Sequence, residues 1–164
     1  KAKAWVHLEA DIQHITKLIH FEEADLKPAD YWWCRGITGI GMVLLEFMKA
    51  DGESEKLKNL LVQVADKIAN SQPLSQHHIC CGESGKILFL HKASEQLGIE
   101  RWHEAAQQSA IQMLSIYKKT GKWHHHSLWE GNQVPSFMSG SSGIAFAMLQ
   151  VVSAEQSFLP LIFE

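Results

Sequence analysis

The sequence lacks most features of secreted, membrane-spanning or nucleic-acid-binding proteins. Its 164 residues include three cysteines, an odd count too small for a disulfide scaffold. No apolar run approaches the roughly 20 residues of a membrane helix, and KAKAWVHLEAD at the start has no signal-peptide core. A formal net charge of −3 provides no basic surface for nucleic acid or anionic lipid. We therefore expect a cytoplasmic protein with no nucleic-acid partner and no membrane span, whose cysteines bind metal or do chemistry.

Strand-like alternation is also missing, and the fold class predicted from periodicity is all-α. A hydrophobic content of 46% suits a single globular domain. Three amphipathic helices are predicted at about residues 5–20, 54–70 and 100–118, and three more uniformly apolar helices at about residues 38–50, 84–97 and 141–153. The two kinds alternate along the chain, as expected if one set lines a ring and the other set covers it.

Each apolar helix follows a long connection, at about residues 21–37, 71–83 and 119–140. Alternate connections of an up-and-down helical arrangement lie at the same end, so we expect these three loops to share one face. Each loop ends in Gly-x-x-Gly, within CRGITGIG, CCGESGK and MSGSSGIA. The glycine pairs are Gly36/Gly39, Gly82/Gly85 and Gly140/Gly143. A repeated supersecondary unit explains the pattern, and we assign these glycines a structural role.

All three cysteines lie at these loop ends. Cys34 and Cys80 each precede the first glycine of their repeat by two residues, and Met138 occupies the same position in the third repeat. Cys81 follows directly. Three thiolates from two neighbouring loops make a plausible zinc site with an open fourth position. The alternative is three buried free cysteines, a common environment for this residue.

The motifs WCRGITGIG, CCGESG and PSFMSGSSGIAFAML resemble the C-terminal part of lanthionine-forming cyclases, the LanC-like family. The family usually has histidine at the position of Cys81. The CCG form here is similar to a subset of class II, LanM-type, lanthipeptide synthetases. The resemblance implies an α/α toroid of seven helical hairpins, of which residues 1–164 would supply the last three or so as the C-terminal portion of the cyclase domain.

The resemblance also implies a reaction. Zinc would be held by Cys34, Cys80 and Cys81, and a cysteine of a ribosomally made, dehydrated precursor peptide would add to dehydroalanine or dehydrobutyrine to form a thioether ring. A LanM-type enzyme carries a dehydratase domain upstream in the same polypeptide. The family's acid/base histidine belongs to earlier repeats, so the proton donor is not placed by these residues.

Two further residues near the cysteines are candidates for catalysis. Arg35 lies between Cys34 and Gly36, where a guanidinium group would stabilise a developing enolate. His78 precedes the Cys pair and would reach the metal or the substrate. A different class of function stays open, namely a non-catalytic α/α-repeat module with structural zinc or a peptide-binding surface. In that case His77 or His78 would be the nearest fourth ligand.

The absence of an initiator methionine leads us to expect a fragment, and this expectation is testable. The isolated chain should bind zinc and associate through its exposed flanks, without cyclising a dehydrated Cys-containing peptide at an enzymatic rate. Light scattering and a cyclisation assay on the purified chain check this. Efficient ring formation by a monomer would contradict it.

Overall fold

The computed structural model describes residues 12–20, 26–51, 54–124 and 134–152. Six α-helices and one short 3-10 helix occur in these ranges, without any β-strand, which confirms the all-α prediction. The elements are α1 (12–20), the 3-10 helix Pro28–Tyr31, α2 (Ile37–Asp51), α3 (Glu55–Ala69), α4 (Glu83–Leu97), α5 (Glu100–Thr120) and α6 (Ser141–Val152). None of these helices is both long and apolar enough to cross a membrane.

The helices begin close to the predicted positions, and glycine explains where two of them end. Residues 5–11 of the first predicted helix and residue 153 of the last lie outside the described residues. Gly98 ends α4 and Gly121 ends α5, each with a φ of 67° in the left-handed region that glycine adopts without steric cost. The sequence prediction placed the end of α5 at about residue 118, because it did not use the signal of Gly121. The 3-10 helix was also missed.

Helix α4 is the centre of the described structure and packs against α2, α3, α5 and α6. It is buried on all sides over its first turns, whereas amphipathic α3 buries one face. The outermost apolar helices differ from α4, because Val43 of α2 and Leu149 and Val152 of α6 are exposed. An inner helix with a neighbour on both sides is expected to be buried all round, as α4 is over its first turns. An inner helix that lacks one neighbour is expected to keep an exposed apolar face, as α2 and α6 do.

A partly buried series of polar side chains links α4, α5 and α6. His91 Nδ1 lies 3.0 Å from His103 Nδ1, and His103 Nε2 lies 3.0 Å from Gln107 Nε2. The Gln107 amide also donates to the Val151 carbonyl at 3.3 Å. Since the Gln107 nitrogen is a donor, His103 Nε2 accepts, so His103 Nδ1 carries the proton donated to His91. The three helices are therefore linked through two imidazole rings and the Gln107 amide.

The environment of His91 predicts that the folded protein becomes less stable as the pH is lowered. Burial lowers the pKa of His91 below its ordinary value of 6.5; Glu95 opposes this, while His103 and Lys92 add to it. The unfolded chain therefore takes up a proton at a pH where folded His91 stays neutral. The stabilising contribution is complete above pH 6.5 and is lost as the pH falls toward the folded pKa.

The free energy of unfolding, measured with urea from pH 7.5 to 5, should fall more steeply for the parent than for His91→Gln. Replacing the exposed His14 by glutamine is the control, and equal slopes for the parent and His91→Gln would contradict the assignment.

Candidate metal centre

Each loop lies so close to the start of the helix that follows it that the two glycines of the repeat have no room for a side chain. A Cβ on the first glycine of a repeat would collide with the carbonyl oxygen six residues earlier, and a Cβ on the second glycine would do the same. The colliding carbonyls belong to Asp30, Gln76 and Val134 for the first glycines, and to Trp33, Ile79 and Phe137 for the second. The structural role predicted for the Gly-x-x-Gly pairs is confirmed.

A hydroxyl group repeats at the same register and was not recognised in the sequence. The residue before the second glycine of each repeat is Ser or Thr, and its Oγ donates to the carbonyl seven residues earlier. The pairs are Thr38 to Tyr31, Ser84 to His77 and Ser142 to Pro135. The pattern Gly-x-Ser/Thr-Gly was therefore the signal for a loop fastened back onto its own helix.

The three loop ends meet, as the shared register of Cys34, Cys80 and Met138 predicted. The Cys34 amide donates to the Cys80 carbonyl at 3.3 Å, and the Cys80 amide donates to the Met138 carbonyl at 2.9 Å. The equivalent residues of the three repeats are thus joined in a row. The expectation that the loops share one face is confirmed for the described residues.

The same contacts gather the three sulfur atoms into one cluster. Cys34 Sγ lies 3.7 Å from Cys81 Sγ, and Cys80 Sγ lies 3.4 Å from Cys81 Sγ. All three atoms lie within 4.8 Å of one another. Zinc–sulfur bonds of about 2.3 Å in a tetrahedron place two sulfurs about 3.8 Å apart. The donor set and its spacing therefore suit zinc.

The thiols of Cys80 and Cys81 are poorly disposed to ionise without a cation. Burial raises the pKa of the Cys80 thiol, and burial together with the adjacent Cys80 and Cys34 sulfurs raises the pKa of Cys81. A divalent cation reverses this effect, because it attracts each thiolate more strongly than the thiolates repel one another. The cluster is thus expected to release protons when it takes up metal.

The cluster has three members among the described residues, and neither His77 nor His78 joins it. His78 is 2% exposed, and its Nδ1 accepts the Cys81 amide proton at 3.4 Å. His77 pairs with His124, which connects the second loop to the residues after α5. Its amide donates to the His124 carbonyl at 2.8 Å, its Nδ1 accepts the His124 amide at 3.2 Å, and the two rings stack. Among the described residues, the cluster therefore supplies three sulfur donors and no histidine.

Arg35 lies on the exposed side of the cluster. Its guanidinium carbon sits 4.7 Å from the centre of the Trp32 ring, a cation–π arrangement. An open cleft of about 480 Å³ has both Cys34 and Arg35 in its wall. Trp33, Ile40 and Val43 also line this cleft, and His14 of α1 borders it. Arg35 and Cys34 are therefore accessible to a ligand in the same cleft.

A buried ion pair holds the loop that carries Cys80 and Cys81. Glu83 and Lys86 are 3% and 2% exposed, and their Oε1 and Nζ atoms lie 3.2 Å apart. Glu83 also accepts hydrogen bonds from the Leu74 amide at 2.8 Å and from the Ser109 hydroxyl at 2.9 Å, while Lys86 donates to the Gln72 carbonyl at 3.1 Å. Opposite charges three residues apart, inside the otherwise apolar run ESGKILFL, were the signal for this pair.

Comparison with known proteins places these features in a family. The family model described as "Lanthionine synthetase C-like protein" matches residues 9–164. A search among curated proteins found no match.

The cluster predicts one zinc per chain. Alanine at Cys34, Cys80 or Cys81 should each weaken zinc binding by more than the roughly 10–100-fold typical of changes outside the ligand shell. Ser115→Ala is the control, because Ser115 is exposed on α5 and lies outside the three loops. Competition with a chromophoric chelator under reducing conditions measures these affinities.

The pH dependence of the same binding is a separate prediction. Because the pKa values of Cys80 and Cys81 are raised, both thiols are protonated near neutrality and zinc must displace both protons. Apparent affinity should fall by at least about a hundredfold per unit as the pH is lowered, because each proton that zinc displaces contributes one factor of ten. An affinity independent of pH would show that these thiols are not the ligands.

Proposed function

Because the chain belongs to the lanthionine synthetase C-like family, we propose that it contributes the zinc centre at which thioether rings are closed in a dehydrated precursor peptide. A cysteine thiol of the peptide adds across the double bond of dehydroalanine or dehydrobutyrine. One C–S bond forms at the β-carbon, the thiol proton is lost, and a proton is added at the α-carbon, so no oxidant or reductant is needed. Dehydration must come first, which requires a dehydratase; we propose that it is a domain upstream in the same polypeptide.

The observation that carries this proposal is the three-sulfur cluster beside an open cleft. Zinc held by Cys34, Cys80 and Cys81 would offer a fourth position to the peptide thiol and lower the pKa of that thiol. Cys34 is the most exposed of the three cysteines and lies in the cleft wall. A peptide therefore reaches the cluster from the side of Cys34.

Arg35 is suited to stabilise the charge that develops during the addition. When the thiolate attacks the β-carbon, negative charge moves to the carbonyl oxygen of the unsaturated residue. The Arg35 guanidinium has several donors in one plane, and its position over Trp32 reduces the side-chain freedom lost on binding. It borders the same cleft as Cys34, so one bound peptide would contact both.

We propose a positioning role for His78 in place of proton transfer. Its Nδ1 is engaged by the Cys81 amide, and the ring is buried. A ring held in this way orients the backbone of Cys81. This directs the sulfur toward Cys34 and keeps the thiol cluster open on its cleft side.

The role of Arg35 predicts a loss of turnover without a loss of metal. In the complete polypeptide, Arg35→Ala should lower the cyclisation rate roughly 10–100-fold, less than the 100–1,000-fold known for enclosed oxyanion donors because Arg35 is exposed. Ring closure leaves the peptide mass unchanged, so free cysteines are counted by alkylation and mass spectrometry. Lys49→Ala on α2 removes an exposed cation outside the cleft and serves as the control.

Three results separate the possibilities. Slower cyclisation with full zinc content supports the proposed role of Arg35. Reduced zinc content with unchanged turnover per bound zinc would assign Arg35 to assembly of the site. A zinc-loaded parent that leaves every peptide cysteine free would contradict the proposed function itself.

A further inference from the structure

The backbone hydrogen bonds that join the three loops are all donated by an earlier loop to the next loop along the chain. We name the described segments by number: loop 1 is residues 32–36, loop 2 is residues 71–82 and loop 3 is residues 134–140. Loop 1 donates from the Cys34 amide to loop 2, and loop 2 donates from the Cys80 amide to loop 3. Loop 3 is therefore the acceptor at the end of the row, although it supplies no cysteine.

Side-chain contacts also lead from each repeat to the next one along the chain. The residue before each cysteine position lies against the second glycine of the next repeat. Trp33 Cβ is 3.5 Å from the point where a Cβ of Gly85 would be, and Ile79 Cδ1 is 2.8 Å from the corresponding point of Gly143. Ile79 is 1% exposed. Cys80 is thus fastened to the third repeat twice, through its own amide and through the side chain directly before it.

Loop 3 is itself anchored. The Ser141 amide donates to the Val134 carbonyl at 2.8 Å, and the Ser142 hydroxyl donates to the Pro135 carbonyl at 3.1 Å. The Phe137 carbonyl lies so close to Gly143 that a side chain there would displace it. Movement of Phe137 would also shift the adjacent Met138 carbonyl, which is the acceptor for Cys80.

We propose that loop 3 and Gly143 are a positioning element for the metal centre, setting zinc affinity by holding Cys80 at the distance the cluster requires. This rests on the zinc site of the proposed function and extends it to a repeat without ligands. Three thiolates repel one another, so a site whose sulfurs are already held together loses less free energy in assembling around a cation than a flexible one. Removing this support is expected to weaken binding although every ligand is kept.

The test substitutes Gly143, which is more than 60 residues from Cys80 in the sequence. Gly143→Ala should weaken zinc binding at least tenfold in chelator competition, in the range seen when groups that orient metal ligands are changed. With cobalt as the probe, the sulfur-to-metal charge-transfer band should lose intensity because one thiolate is misplaced. Both measurements are independent of cyclisation. The milder Ser142→Ala, at an exposed position, should show a smaller change in the same direction.

Met113→Ala controls for general destabilisation. Met113 is buried in α5, outside the three loops, so its replacement should lower the unfolding midpoint while zinc affinity and the cobalt spectrum stay unchanged. The proposal is overturned if Gly143→Ala binds zinc as the parent does, or if Met113→Ala weakens binding equally. It is also overturned if Gly143→Ala does not fold and Ser142→Ala leaves the affinity unchanged. A parent that binds no zinc would instead overturn the metal site on which both proposals depend.

Discussion

Close contact between loop carbonyls and glycines is the constraint on which the rest of the structure depends. Each loop returns so tightly to its helix that the carbonyl six residues earlier occupies the space of a Cβ. Any other residue at Gly36, Gly82 or Gly140 would force the loop away from the helix start. The Ser or Thr hydroxyl beside the second glycine completes the contact by donating to the next carbonyl. The position of every cysteine follows from this geometry, because each lies one or two residues before a first glycine.

The cluster of three cysteines is held together by contacts from distant parts of the chain. Cys80 and Cys81 belong to a loop held at its start by the buried Glu83–Lys86 pair and at its end by the Met138 carbonyl. Burial of an ion pair is unfavourable unless its remaining hydrogen bonds are made. Here the additional contacts to the Leu74 amide, the Ser109 hydroxyl and the Gln72 carbonyl meet that requirement. The thiols of Cys80 and Cys81 are thereby held close together, although their pKa values are raised and their ionisation is unfavourable without a bound cation.

Arg35 and His78 are both close in sequence to a cysteine, yet their surroundings differ. Arg35 is exposed, over a tryptophan ring and in the wall of a cleft, where a ligand reaches its donors. His78 is buried and accepts a hydrogen bond from the backbone of Cys81. Two residues close to a cysteine in the sequence therefore have different surroundings, one open to a ligand and one inside the protein.

The all-α class, the helix positions and the shared register of the cysteines were determined by the sequence alone. These properties follow from local periodicity and from glycines at short, repeated spacings, which act within a few residues. The end of α5 was also encoded locally, by Gly121, and was overlooked. The tertiary structure decided the distances between sulfurs, the burial of His78, the His91–His103 contact and the hydrogen bond from the Cys80 amide to loop 3. Each of these joins different elements or sets the surroundings of a side chain, and a pattern along the chain carries no measure of such distances. The cysteines that form the cluster were thus identifiable from the sequence, whereas the contacts that hold them together were not.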